Sequence, residues 1–337
     1  MARVAINGLG RIGRATLKIV MDTPGLDLVA ANDLGTPDNV AYLLKYDTVY
    51  GRYEKTIETT DDGGLVVGGH RMALLHEQQP ARLPWQPLAV DIVFECTGAF
   101  SKREDLDAHI HAGARYVILS APSKSEDVET IVHGVNAPEG GTAIISCASC
   151  TTNCITPVME ILGRRLGIKK ATMTTVHAYT ASQAIVDTQR KNVRRGRAGA
   201  ANLVPTSTGA ATATARALPE YRGRFDGVAI RAPVPVGSLA DIVILTARAT
   251  TVDEVNRIFT EEAASDRYRG VVGVTTDPLV SSDIVRDSRA SVLDLGMTQV
   301  VDGDLVKVMS WYDNEWGYSS QIVREAVRIA TEIEVHG

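Results

Sequence analysis

The N-terminal stretch constrains the fold more than any other part of this chain. Residues 3–6 form a short apolar run, Asn7-Gly8-Leu9-Gly10-Arg11-Ile12-Gly13 interrupts it, and residues 14–21 follow with helical spacing of their apolar positions. A second apolar run over 26–31 ends at Asn32-Asp33, with Asp33 twenty positions beyond Gly13. This is the layout of a βαβ unit carrying G-x-G-x-x-G at its first turn. Gly8 permits the tight turn, Gly10 lets backbone approach a pyrophosphate, and Gly13 lets helix and strand pack closely. The helix N-terminus adds N–H groups and partial positive charge. Asp33 is placed to accept hydrogen bonds from a ribose diol and to repel a 2′-phosphate, which favours NAD over NADP. Glycines also mark ligand-free turns. The strand before, the helix after and the acidic residue beyond argue for a dinucleotide here.

Further runs extend the pattern. Residues 91–96 and 116–119 read as buried strands of a parallel sheet, 102–112 as the crossover helix between them, and 143–146 as the last strand of this half. From Thr151 the texture changes. Residues 155–166 have the spacing of an amphipathic helix, and strand-like stretches recur at 171–176, 225–231, 240–247 and 306–312. Residues 182–202, rich in Arg, Gly and Ala, read as a long functional loop. The expected fold class is α/β. A Rossmann-type parallel-sheet domain spans 1–149, and an α+β catalytic domain with a mostly antiparallel or mixed sheet spans 150–317. A C-terminal helix, 318–337, returns to the first domain. The length of 337 residues agrees with two domains.

The formal net charge of −5 gives no sign of a nucleic-acid-binding domain, and none is expected as a partner. No apolar run reaches the length of a membrane span, so no membrane is expected either. The strand-like run begins at once, so no signal peptide is expected. Cys96, Cys147, Cys150 and Cys154 do not make a secreted disulfide framework in a chain this long, which places it in a reducing cytoplasm.

Cys150 stands in Ser149-Cys150-Thr151-Thr152-Asn153, at the expected start of a helix, where the macrodipole favours a thiolate. His177 ends a strand-like run and is the candidate base. A thiol and a base on a nicotinamide-binding scaffold suit covalent oxidation of an aldehyde. A buried structural cysteine and a structural histidine remain the plainer reading. Cys150 and Cys154 have helical i, i+4 spacing but no second ligand pair, so no metal is expected.

The motifs also carry a family resemblance. Ser149 to Cys154, Thr174-Thr175-Val176-His177-Ala178-Tyr179-Thr180, the glycine motif, Leu43-Leu44-Lys45-Tyr46-Asp47, Ser207-Thr208-Gly209-Ala210-Ala211 and Trp311-Tyr312-Asp313-Asn314-Glu315-Trp316-Gly317-Tyr318 resemble phosphorylating glyceraldehyde-3-phosphate dehydrogenase. The resemblance implies oxidation of D-glyceraldehyde 3-phosphate through a Cys150 thioester, which inorganic phosphate cleaves to 1,3-bisphosphoglycerate. It implies that Thr180 and Arg231 hold the substrate phosphate, and that Ser149, Thr151, Thr208 and Gly209, with Arg195 nearby, hold the attacking one. Hydroxyls, N–H groups and Arg forks suit such oxygens. It implies further cofactor contacts from Arg11, Ile12, Thr97 and Ser120, with Asn314 at the nicotinamide carboxamide. It also implies a homotetramer with the 182–202 loop at a subunit interface.

Three places depart from the pattern. Cys147 stands where the family usually has asparagine. Thr188-Gln189-Arg190 replaces a Leu-Pro pair that helps exclude a 2′-phosphate, so some NADP use is expected beside NAD. Val234-Pro235-Val236-Gly237-Ser238 replaces Thr-Pro-Asn-Val-Ser, which loosens the expected placement of the substrate phosphate near Arg231. The rival activity is erythrose-4-phosphate dehydrogenase, which hydrolyses its thioester. Thr180 and the Ser207–Ala211 run favour phosphorolysis. A binding protein on the same scaffold is the third reading.

Overall fold

The computed structural model describes residues 1–138 and 141–336. These fall into two compact units. The first comprises Met1–Ile131, Pro138–Ala148 and the C-terminal stretch from Ile322; the second comprises Val132–Ala137 and Ser149–Gln321.

Among the described residues, the sheet of the first unit has nine strands. Their order is Glu129–Thr130, Ile144–Ser146, Tyr116–Leu119, Ile92–Glu95, Ala2–Asn7, Leu26–Asn32, His70–Leu75, Leu65–Val67 and Ile57–Thr59. Pairing is parallel from Glu129–Thr130 through His70–Leu75 and antiparallel over the last two steps. The central strand Ile92–Glu95 is buried at every position. Such strands are covered on both faces, so they read in sequence as unbroken apolar runs. The helix after the glycine turn is Arg11–Val20, not 14–21, because Arg11, Ile12 and Gly13 form its first turn and apolar periodicity shows only beyond them. The crossover helix is Arg103–His111.

The second unit holds an eight-stranded mixed sheet among the described residues. Its order is Val204–Ser207, Phe225–Ala232, Ile168–Ala178, Ser238–Thr246, Leu305–Tyr312, Ser291–Asp294 and Val272–Thr275, with Gln299–Val301 also paired to Leu305–Tyr312. Ile168–Ala178 runs parallel to Phe225–Ala232 and antiparallel to Ser238–Thr246. Burial alternates strictly along Ser238–Thr246, the signature of one face on a core. The helix Cys150–Leu166 supplies that core with Ile155, Val158, Met159 and Leu162, packed in one cluster with Met173, Ile242, Ile244 and Val308. Each such side chain contributes roughly 1.5–3 kcal/mol on burial. The helix starts five residues before the 155–166 pattern because its first turn is polar. The 182–202 segment is irregular but not bare: it holds two 3₁₀ turns, Val193–Gly196 and Gly199–Ala201, and a bridge between Ala184 and Ala198. The last helix, Trp316–His336, begins in the second unit and passes to the first at Ile322.

Candidate active site

In the first unit the glycine turn is shaped by its own packing. Gly8 has φ 93°, and a Cβ there would lie 2.7 Å from the Thr97 nitrogen; a Cβ on Gly13 would lie 1.8 Å from the Gly8 oxygen. On Gly10 it would meet nothing within 4 Å. Gly8 and Gly13 are therefore required by the fold itself, whereas Gly10 leaves open space. No side chain caps the Arg11–Val20 helix, of which Gly10 is the N-cap. A cavity of about 440 Å³ adjoins the turn and is lined by Gly8, Gly10, Asp33, Leu34, Thr97 and Phe100, among others. Asp33 accepts from Leu9 N and Gly35 N, both at 2.8 Å, and keeps lone pairs for a ligand. An uncapped helix N-terminus, an open glycine and a rim carboxylate fit a dinucleotide.

Arg11 pairs its guanidinium with Asp47 and lies over the Tyr50 ring at 5.4 Å. Burial pushes the Asp47 carboxyl up, but Arg11 and the Tyr50 and Val49 N–H groups outweigh it and hold it below its usual range. Arg11 thus offers the turn its backbone, while its side chain braces the unit. Ile12 is half-buried, Thr97 exposed and Ser120 half-buried, with Ser120 N donating to Glu95 O. Beneath the turn, fully buried Glu95 accepts from Asn7 Nδ2 (2.6 Å), Thr97 N (2.8 Å) and His109 Nε2 (3.1 Å). Trp85 Nε1 donates to His109 Nδ1 at 3.0 Å, which fixes the His109 proton on Nε2. Sequence reasoning missed Glu95, Leu34 and Phe100. Leu34 stands directly after the acidic residue and is 67% exposed in the fold.

In the second unit the thiol sits at a helix start. Ala148, at φ 53°, occupies the left-handed region just before it, an uncommon conformation for a residue other than glycine. Ser149 is the N-cap, its Oγ accepting from Thr152 N at 3.2 Å, and Cys150 is the first helical residue. Cys150 Sγ lies 3.4 Å from His177 Nε2. The sheet register sets Arg231 directly beside His177 on the parallel neighbouring strand. Arg231 Nη1 is 2.6 Å from His177 Nδ1 and donates to Ala178 O at 3.0 Å. Tyr312 joins helix to strand: its hydroxyl bonds Thr151 Oγ1 at 2.9 Å and Thr175 Oγ1 at 2.8 Å, and its ring stands edge-on to His177.

Burial pushes the Cys150 thiol up, with Arg231 and Thr151 opposing. Burial, and next the Arg231 charge, push His177 down to about 3. Burial thus works against the thiolate that the helix N-terminus favours.

The remaining candidates are spread around this pair. Thr180 Oγ1 bonds Ser182 Oγ at 2.8 Å. Arg195 donates to Thr206 Oγ1 at 3.1 Å and Ser207 O at 3.3 Å, and its charge reaches both His177 and Arg231. Thr208 Oγ1 accepts from Ala210 N at 3.2 Å, and exposed Gly209 is the N-cap of the Ala210–Ala217 helix. Asn314 Oδ1 accepts from Gly237 N (3.2 Å) and Ser238 Oγ (3.0 Å), which leaves its Nδ2 as the donor side. Cys154 turns away, 3.8 Å from Ser310 O. Among the described residues no group of three or more His, Cys, Asp or Glu is placed to hold a metal, and no helix is long and apolar enough to cross a membrane.

A nucleotide-binding parallel sheet, followed by a mixed-sheet unit with a cysteine against a histidine, defines a dehydrogenase class. Comparison with known proteins agrees. The NAD-binding domain of glyceraldehyde 3-phosphate dehydrogenase matches residues 2–103, and the C-terminal domain of the same enzyme matches 149–314. Curated glyceraldehyde-3-phosphate dehydrogenases are similar over nearly their whole length. That of Streptomyces coelicolor is 46% identical over 335 residues, covering 98% of this chain and 99% of its own. That of Geobacillus stearothermophilus is 44% identical over 333 residues, 98% of each. That of Zymomonas mobilis is 43% identical over 332 residues, 97% and 98%. The chain belongs to the glyceraldehyde-3-phosphate dehydrogenase family, and NAD is its cofactor.

Proposed function

We propose that this chain oxidises D-glyceraldehyde 3-phosphate to 1,3-bisphosphoglycerate, using inorganic phosphate and a thioester on Cys150. The observation that carries the reading is the 3.4 Å contact between Cys150 Sγ and His177 Nε2 at a helix N-terminus. Sγ bonds the aldehyde carbon as its proton passes to Nε2, and that proton returns to the oxygen to complete a hemithioacetal. Bound NAD would supply the hydride acceptor for that carbon. His177 takes the hydroxyl proton, which leaves the thioester. A phosphate oxygen attacks the acyl carbon, and Cys150 departs with the proton from His177.

Arg231 and Thr180 are assigned to the substrate phosphate, and Arg195, Thr208, Gly209, Ser149 and Thr151 to the attacking one. Ser149 and Thr151 also engage their hydroxyls within the protein, which holds the helix start in place. Asn314 is assigned to the nicotinamide carboxamide through Nδ2. Gly8, Gly10, Arg11, Ile12, Gly13, Asp33, Thr97 and Ser120 are assigned to the rest of NAD. Exposed Thr188-Gln189-Arg190 supports some NADP use, against the Asp33 carboxylate. A homotetramer is supported by exposed Ile185, Val186 and Val193 on the 182–202 loop. A cytoplasmic setting is supported by four free cysteines.

The test is NADH formation from glyceraldehyde 3-phosphate with and without inorganic phosphate. Phosphate-dependent turnover is expected. A rate indifferent to phosphate would replace this reading with hydrolysis.

A further inference from the structure

A carboxamide side chain has two ends of nearly equal shape, and the end that faces a ligand decides whether it donates or accepts. At Asn314 the surrounding protein makes that choice. Asp313 pins the backbone by accepting from Arg286 N (2.8 Å), Glu315 N (2.9 Å) and Trp316 N (2.8 Å). What remains is the terminal torsion of Asn314, which is roughly two-fold. Gly237 N, 3.2 Å away, can only donate, so the atom facing it is Oδ1. Gly237 reaches that position at φ 86°, where a Cβ would lie 2.2 Å from Ser281 O. Ser238 Oγ accepts from Ala178 N at 3.1 Å, and its own hydrogen goes to Asn314 Oδ1 at 3.0 Å. These two donors fill both lone pairs of Oδ1, which leaves Nδ2 to meet a ligand.

We propose that Ser238 is a positioning residue for the cofactor: its hydroxyl locks the Asn314 amide with Nδ2 toward the ligand, so the site demands a hydrogen-bond acceptor on the pyridine 3-substituent. This rests on the reading that assigns Asn314 to the nicotinamide carboxamide. The place of Ser238 in the sheet suits the role. It is fully buried and opens the strand Ser238–Thr246. The neighbouring strand ends at Ala178, while the ladder between the two closes at Val176 and Leu239. Beyond that pair the Ser238 hydroxyl takes the Ala178 N–H in place of a ladder carbonyl. Its oxygen is thus held by the residue next to His177, and its hydrogen is directed to Asn314. A flipped amide would set Nδ2 against the Gly237 N–H, and both groups lie in buried residues, where donors left unmade are costly.

Two NAD analogues of nearly the same shape separate the ends of the amide. 3-Acetylpyridine adenine dinucleotide keeps the carbonyl acceptor and lacks the N–H donor. Thionicotinamide adenine dinucleotide keeps the donor, and its sulfur is a weak acceptor. Their charge and their remaining atoms are alike, so the ratio of their dissociation constants, thioamide over acetyl, reports the 3-substituent. Calorimetric displacement of NAD from the full chain gives both constants. The acetyl analogue should bind about fivefold tighter, the worth of roughly one net hydrogen bond. Ser238→Ala should cut that ratio by half or more. Asn314→Asp should invert it, because a carboxylate presents only acceptors. In the Asn314→Asp background Ser238→Ala should leave the ratio unmoved, since the two carboxylate oxygens are equivalent. Ser238→Cys, of similar size and with a weak donor, carries the same expectations should the alanine variant not fold. A preference for the thioamide in the unsubstituted protein overturns the proposal. So does a ratio that fails to fall in Ser238→Ala, or one that falls equally in both backgrounds, as a merely structural role would give. An Asn314→Asp ratio that does not move sinks the assignment of Asn314 to the carboxamide. Inversion there, with an unmoved Ser238→Ala ratio, sinks the role of Ser238 alone.

Discussion

The glycine cleft of the first unit and the thiol site of the second are built on opposite principles. The cleft is made of backbone: three glycines, an uncapped helix end and one carboxylate, contributed within a single βαβ unit. The thiol site is made of side chains from distant segments, with Cys150, His177, Arg231 and Tyr312 brought together by sheet register, one tyrosine hydroxyl and the contacts of Cys150 and Arg231 with His177. A backbone site is broken by adding a Cβ. A side-chain site is broken by removing an atom. The two should therefore fail independently.

The sharpest break is Cys150→Ser. Turnover should fall by a factor on the order of 10⁶, as when other enzymes lose their nucleophile. NAD affinity and unfolding free energy should stay within about 0.5 kcal/mol. Loss of NAD binding in that variant, read by calorimetry, would show that the two sites are not separable.

Glycine substitutions sharpen the other side. Gly13→Ala drives a Cβ into the Gly8 carbonyl and should cost about 3 kcal/mol of stability, at the upper end for overpacking, together with NAD binding. Gly10→Ala meets open space, so it should weaken NAD while leaving the melting temperature unchanged. Equal melting losses in the two variants would refute the distinction between a fold-required and a ligand-required glycine.

Tyr312→Phe removes one hydroxyl that satisfies both Thr151 and Thr175. Urea unfolding should show a loss of about 1–3 kcal/mol, the cost of leaving buried partners unmade. A change below 0.5 kcal/mol, within the scatter of surface substitutions, would remove Tyr312 as the joint between helix and strand.

A further effect concerns acid. His177 is pushed from 6.5 to about 3, so between those values the unfolded chain binds a proton that the folded protein refuses. Stability therefore rises with pH through that window and is lost as pH falls from 6.5, by up to about 1.4 kcal/mol per pH unit for one proton. His177→Gln should flatten this arm between pH 6.5 and 5 in denaturant titrations. An unchanged slope would mean that His177 titrates normally.

The same contrast explains what the sequence disclosed. The glycine turn was legible because every part of it is local and each glycine answers a steric need. Cys150 and His177 were legible as residue types. Arg231 beside His177 was not, because that contact depends on which strands pair and in what register, and strand order carries no periodic signal. The counterweight to the expected thiolate was hidden for a related reason: a helix end is visible in sequence, whereas the burial that opposes it belongs to the folded core. Glu95 read as one more position in an apolar strand, although four donors converge on it.

The central claim is acylation of Cys150, and peptide mass spectrometry tests it most directly. Protein mixed with NAD and glyceraldehyde 3-phosphate, without inorganic phosphate, and quenched in acid should carry a 3-phosphoglyceroyl group on the Cys150 peptide that disappears when phosphate is added. No adduct, or an adduct on Cys96, Cys147 or Cys154 instead, would contradict the account.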